Sequence, residues 1–236
     1  MMEKQTYPMR INKYLALNKY STRRGADELV RKKQVFINNE LAVLGDKVEE
    51  TDKVEVRFRG KQKPYIYIAY NKPKGIVTHS AQEGEQEIKT AVAVKDIFPI
   101  GRLDKDSNGL IILTNDGRIT ERLLGPNHLH EKEYLVKTKE KLRSSFKEKM
   151  EAGVQIEKEK TKKCKVKIMG ERLFKIILTE GKKHQIRRMC VALFQEVADL
   201  KRTRIMNIEL GKLKSGEYRK IEGEELQTFL KQLDLA

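Results

Sequence analysis

Apolar and polar positions fall into short stretches of two different periods along this chain. Over Met9–Lys19, the residues Ile11, Tyr14, Leu15 and Asn18 fall near one face, which predicts a helix. Ser21 suits the N-cap of a second helix over Thr22–Lys33, with Ala26, Leu29 and Val30 turned inward. Val35-Phe36-Ile37 predicts a strand, Asn38-Asn39 a turn, and Leu41-Ala42-Val43 the returning strand. Val54–Phe58 alternates apolar and charged residues, as a half-buried strand does. Arg59–Pro64 is polar, is punctuated by Gly60 and Pro64, and reads as a linker on which the first unit swings. A boundary there divides the chain into 8–63 and 64–236.

The longer second part is richer in strands. Tyr65–Tyr70 and Leu110–Thr114 read as buried strands, Tyr134–Thr138 as another, and Thr78–Lys89 as a polar loop. Lys141–Glu151 places Leu142, Phe146 and Met150 at helical spacing. Cys164–Ile168 and Leu173–Leu178 pair as strands around Gly170, and Gln185–Phe194 and Gly223–Leu235 read as helices. No repeat with a period of roughly 20–50 residues is present, which argues against a solenoid. Strands and helices do not alternate regularly, so the expected class is α+β rather than a doubly wound sheet.

Composition narrows the partners. Among 236 residues, 50 Lys and Arg stand against 34 Asp and Glu, a formal charge of +16. An excess of that size points to a polyanion, and no long basic amphipathic helix favours a lipid surface over nucleic acid. The longest apolar run, Tyr65–Tyr70, is far short of the roughly 20 residues of a membrane span. No apolar segment follows Met1-Met2-Glu3-Lys4, so a secretory signal is not expected. Cys164 and Cys190 are too few for a disulfide framework and lack zinc-ligand spacing; a reducing, cytoplasmic setting is expected. Arg10, Lys13, Arg23, Arg24, Arg31, Lys32 and Lys33 sit on or beside the two amino-terminal helices. Composition alone leaves phosphate contact and plain solvated faces near even, but basic residues outnumber acidic ones along both helices, which favours a phosphate-contacting surface.

Gly101–Gly117 is a polar loop bounded by glycines, holding Asp104 and Asp106 and running into a buried strand. A carboxylate here suits a nucleophile, a general base, a metal ligand or a turn cap. Asp106 and Asn108 before Gly109 resemble the start of a calcium loop, but the rest of that ligand series is missing. Taken alone, Tyr134 reads as a core residue, and Arg187 and Arg188 as phosphate contacts or surface charge. His184 reads as structural or RNA-facing, and Cys190 as core. The lysines from Lys158 to Lys167 read as a solvated strand pair or a phosphate-contacting edge.

Four stretches together resemble pseudouridine synthases of the RsuA/RluB/RluF group. They are Tyr70-Asn71-Lys72-Pro73-Lys74-Gly75, Gly101-Arg102-Leu103-Asp104 with its continuation to Gly117, His130–Val136, and Gly181–Met189. Arg10–Ala16, Ser21–Ala26 and Val35–Asn38 resemble the S4 RNA-binding domain. The likeness runs furthest toward the RluF-type large-subunit enzymes, through His130–Tyr134, Thr161–Val166 and Arg202–Asn207.

The resemblance implies a small S4 domain, helix-loop-helix plus hairpin, followed by a catalytic domain with a mixed, mainly antiparallel sheet. It implies isomerisation of a uridine in 23S ribosomal RNA, with 16S ribosomal RNA, a transfer RNA anticodon loop, or a non-enzymatic role in ribosome assembly as alternatives. It implies Asp104 as the catalytic aspartate, Tyr134 as the tyrosine stacking on the target base, and Arg187 as the arginine paired with Asp104. Arg102 is then expected near the flipped nucleotide, and Arg10, Lys13, Arg23, Arg24 and Arg188 in contact with RNA. No metal, organic cofactor or membrane is implied, and a monomer is expected.

Overall fold

In a computed structural model, residues 6–18, 20–57, 64–79, 82–83, 85–125, 128–157 and 159–236 are described. They form two units, one of residues up to Tyr65 together with Asp116–Glu121, the other of Ile66–Asn115 and Arg122–Asp234. Apart from Pro64, the expected linker lies outside the described residues.

The first unit runs β1 (Met9–Arg10), α1 (Ile11–Leu17), α2 (Arg23–Arg31), β2 (Val35–Ile37), β3 (Glu40–Leu41), β4 (Lys47–Val48) and β5 (Val54–Val56). Its first helix is shorter than expected because Met9 and Arg10 pair as a strand with Val48 and Lys47. The cap of α2 is Thr22 rather than Ser21: the Thr22 hydroxyl accepts from the Gly25 amide. β2 and β3 turn back through Asn38 and Asn39, both with positive φ, as a two-residue hairpin requires. Ile11, Leu15, Ala26, Val30, Val35, Ala42 and Val48 form the core.

The chain continues with β6 (Tyr67–Lys72), α3 (Ile88–Ala91), β7 (Phe98–Ile100), β8 (Asn108–Thr114), α4 (Arg118–Leu124), β9 (Lys132–Thr138), α5 (Phe146–Glu151), β10 (Gln155–Ile156) and β11 (Glu159–Lys160). It ends with β12 (Lys165–Gly170), β13 (Leu173–Leu178), α6 (Gln185–Ala192), β14 (Val197–Ile205), β15 (Ile208–Glu209), β16 (Tyr218–Lys220) and α7 (Gly223–Gln232). The main sheet has the order β12-β13-β9-β14-β8-β6-β16, with β15 on β14 and β7 on β8. Only the β14–β8 pairing in it is parallel, so the fold is α+β with a mixed, mainly antiparallel sheet.

β14 was not foreseen from the sequence, yet it joins the two halves of the sheet. On one side of it, Val136, Phe174, Ile176, Leu178 and Leu200 pack with Phe146, Met150, Ile186 and Met189 of α5 and α6. On the other, Ile68, Tyr70, Ile111 and Leu113 pack with Ile76, Ile88 and Leu103. Tyr134 touches both clusters. The helix expected from Lys141 starts only at Phe146, because Leu142 instead bonds to Glu171 through its amide.

Candidate active site

Asp104 lies in the loop between β7 and β8, and neighbours on every side hold that loop by its main chain. The Thr78 hydroxyl donates to the Leu103 carbonyl and accepts from the Leu103 amide. The Gly75 amide donates to the Lys105 carbonyl, and the Ser107 amide to the Asp104 carbonyl. Three cations complete the clamp. Arg187 Nη2 donates to the Asp106 carbonyl at 3.1 Å, with Ser107 Oγ at 3.4 Å. Arg202 reaches both ends of the loop, from Nε to the Leu110 carbonyl at 2.7 Å and from Nη1 to the Arg102 carbonyl at 3.4 Å. Lys72 is fully buried and donates to the carbonyls of Pro73, Ile76 and Lys105. A carboxylate on so many fixed supports is held in one place before any ligand arrives.

Gly109 sets how closely the loop approaches β14. Its φ is +104°, and a Cβ there would lie 2.3 Å from the Arg202 carbonyl oxygen and 2.7 Å from the Arg202 amide nitrogen. Only glycine permits that close approach of two backbones.

A cavity of about 760 Å³ opens over this loop. Asp104, Arg102, Ser107, Tyr134, Lys132, His184 and Arg202 line it. Tyr134 stands directly across from Arg202 in the β9–β14 register, so the two side chains share a sheet face. The carboxylate of Asp104 is about two-thirds buried, and His184 Nδ1 lies 3.7 Å from its Oδ2. His184 adopts a left-handed backbone, φ +52°, at the start of α6, and its side chain makes no capping bond. Burial pulls the Lys72 ammonium from its ordinary 10.5 to about 8, opposed by the charges of Asp104 and Asp106 and assisted by that of Arg202. Lys132 is lowered too, first by burial and then by the charge of Arg202.

The structure brings together three of the expected residues, Asp104, Tyr134 and Arg102. It corrects the expectation for Arg187. That side chain does not pair with Asp104 and does not line the cavity, because its guanidinium is taken up by main-chain carbonyls of Asp106 and Val197. Arg188 also lies off the cavity lining; it pairs with Glu157 at 2.7 Å and donates to the Lys183 carbonyl. Lys72, Lys132 and Arg202 carry no individual role in the sequence reading, and His184, read there as structural or RNA-facing, lines the cavity. Of the lysine cluster, Lys162 lines the cavity. Burial raises Cys164 to about 11 and Cys190 to about 12, which leaves both thiols protonated and unreactive.

In the first unit, Arg10, Lys13 and Arg23 line a second cavity of about 300 Å³ with Thr6, Pro8, Met9 and Asn12. The Arg24 side chain lies outside the described residues.

Comparison with known proteins decides what this arrangement belongs to. A family model described as RNA pseudouridylate synthase matches residues 66–192, and an S4 domain model matches residues 9–54. The chain belongs to the RNA pseudouridylate synthase family. It is 42% identical over 231 residues to the dual-specificity RNA pseudouridine synthase RluF of Salmonella typhi, covering 95% of this chain and 80% of that protein. It is 34% identical to the ribosomal small subunit pseudouridine synthase A of Pasteurella multocida, covering 94% of this chain and all of that one. A crystal structure of a pseudouridylate synthase superposes with a TM-score of 0.70 at 29% identity, covering 95% of this chain and 99% of its own. The protein is thus an RNA pseudouridine synthase, an isomerase, with an amino-terminal S4 domain ahead of its catalytic domain. Among the described residues, no helix is long and apolar enough to cross a membrane.

Proposed function

We propose that this pseudouridine synthase isomerises a uridine of 23S ribosomal RNA, with Asp104 as the catalytic carboxylate and Tyr134 as the face on which the extruded base stacks. The observation that carries the assignment is that Asp104 and Tyr134 line one cavity, with the Asp104 loop held by main-chain bonds from several elements. The target base must leave its own stack to be reached, and a tyrosine face returns about 1–3 kcal/mol of that stacking. An ionised carboxylate acts either covalently or as a base, and neither requires a cofactor. Arg102, exposed beside Asp104, meets the displaced nucleotide. Arg187 supports the reaction by fixing the loop through the Asp106 carbonyl. The S4 domain, taken as residues 8–63 ahead of a catalytic domain over 64–236, holds folded RNA through Arg10, Lys13 and Arg23. The enzyme acts as a monomer in the cytoplasm.

The test is a pseudouridine map of cellular RNA from a deletion strain complemented with the wild-type gene or with Asp104→Asn. A modification in 23S RNA that returns with the wild type alone supports the proposal; its return with Asp104→Asn removes Asp104 from the chemistry. A transfer RNA or 16S substrate is the second reading, favoured by relatives named for dual specificity and for the small subunit. The same map separates these targets. A purely structural assembly factor would leave the map unchanged on deletion.

A further inference from the structure

Lys132 and Arg202 sit on one face of the main sheet with Tyr134, at the inner wall of the cavity. Lys132 and Tyr134 are two apart on β9, and Tyr134 is in register with Arg202 on β14. Arg202 is 4% exposed, and its Nη2 is buried with no hydrogen-bond partner. Its other nitrogens reach only main-chain carbonyls. Lys132 Nζ has a single long contact, 3.4 Å, to the His130 carbonyl. Neither cation forms an ion pair among the described residues. Of the two carboxylates that line the cavity, Glu180 accepts from the Lys162 amide and Gln185, and Asp104 has His184 Nδ1 at 3.7 Å; neither is paired with Lys132 or Arg202. A buried guanidinium and a half-buried ammonium beside it, with no counter-anion, are costly to fold, and an unused buried guanidinium nitrogen adds to that cost. The arrangement is complete only when an anion enters.

We propose that Lys132 and Arg202 hold the negative charge that develops on the uracil ring during isomerisation. This assignment rests on the reading of the cavity as the uridine site. In the reaction the C1′–N1 bond breaks and a C1′–C5 bond forms; the C5 hydrogen leaves as a proton and N1 gains one. If the base departs from the sugar, the electron pair of the broken bond stays on the ring, spread over N1, O2 and O4. If Asp104 first adds to C6, the displaced pair moves through C5 to O4. Both routes leave negative charge on uracil oxygens, and both are helped by cations fixed in the cavity wall. The RNA phosphates remain with the exposed cations Arg102, Lys162 and Lys183, which line the same cavity from the solvent side. The lowered pKa of Lys132 agrees with a lysine that lacks its anion.

The experiment uses total RNA from the deletion strain grown on uridine tritiated at C5, since forming the C1′–C5 bond releases that label to water. Single-turnover release is measured against enzyme concentration for the wild type, Asp104→Asn, Lys132→Met and Arg202→Lys. For Lys132→Met and Arg202→Lys, the expected result is a rate at saturation 10- to 1000-fold lower, with the half-saturating concentration within about twofold of wild type. A normal saturating rate in Lys132→Met overturns the proposal, whether binding is intact or weakened; weakened binding alone would mark a phosphate contact. Lys132→Met keeps the test decisive if Arg202→Lys, which alters the clamp on the Asp104 loop, fails to fold. Release by Asp104→Asn at the wild-type rate would instead refute the underlying reading of the site.

Discussion

Asp104 shows how a single residue is made useful by groups that never touch its carboxylate. Its loop is set by bonds to main-chain oxygens, and those acceptors are the same in any sequence. That is why the motif around Asp104 is legible in the sequence while the clamping role of the arginines that fix it is not. Arg187 is the clearest case: the resemblance implies a partner for the carboxylate, and the structure gives it to the Asp106 carbonyl instead. Gly109 is the most sensitive position of this kind. In Gly109→Ala the new Cβ would press on the Arg202 backbone from a φ of +104°. A loss of about 3 kcal/mol or more is expected, a fall in Tm of roughly 6–12 °C by thermal melting.

Lys72 supplies a pH test at the same scale. Its folded pKa, about 8, lies below the unfolded 10.5. Between those values the unfolded chain binds the extra proton, so this lysine makes the fold more stable as pH rises through that window. Below pH 8 both states hold the proton and the penalty of the buried charge is fully present. Lys72→Met lacks the proton throughout. Urea unfolding of both proteins should therefore show the wild type gaining on the variant between pH 8 and 10, by at most about 1.4 kcal/mol per pH unit. A constant gap would show that Lys72 titrates normally.

Among the elements, those with one clean period were readable and those that mix roles were not. β13 alternates half-buried and buried positions from Leu173 to Leu178, and its strand was expected with those bounds. β14 breaks the alternation. It carries bulges between Val197 and Asp199 and between Arg202 and Arg204, and it buries Arg202 where an apolar residue is the usual occupant. A strand that serves the cavity on one face gives up the pattern that would reveal it. The helix at Lys141 starts late for another reason, since Leu142 reaches the core from a non-helical segment ahead of Phe146. Packing beneath β9 and β13 is ordinary by contrast, with Phe174 fully buried and edge-to-face with Phe146, ring centroids 4.9 Å apart. Phe174→Ala should cost about 3–5 kcal/mol, read as a lower urea midpoint. Because Phe174 does not line the cavity, catalysis in the fraction that remains folded should be close to wild type.

At the scale of the whole molecule, the charge of +16 separates by burial into different tasks. Lys72 and Arg202 are buried in the catalytic domain, where mobile salt does not screen them. Arg10, Lys13 and Arg23 line a surface cavity of the S4 domain, where salt competes with any phosphate they meet. Each phosphate contact on RNA contributes about 0.7–0.9 to the slope of log affinity against log salt. Replacing Arg10, Lys13 and Arg23 together with glutamine should thus lower that slope by about 2–3 in a filter-binding titration on ribosomal RNA. The saturating rate of tritium release should stay near wild type, because the cations beside Asp104 are untouched. Lys132→Met should do the opposite, leaving the slope intact and lowering the rate. If the triple variant keeps the wild-type slope, the S4 cavity is not where phosphates are held, and the excess charge must serve RNA from another face of the chain.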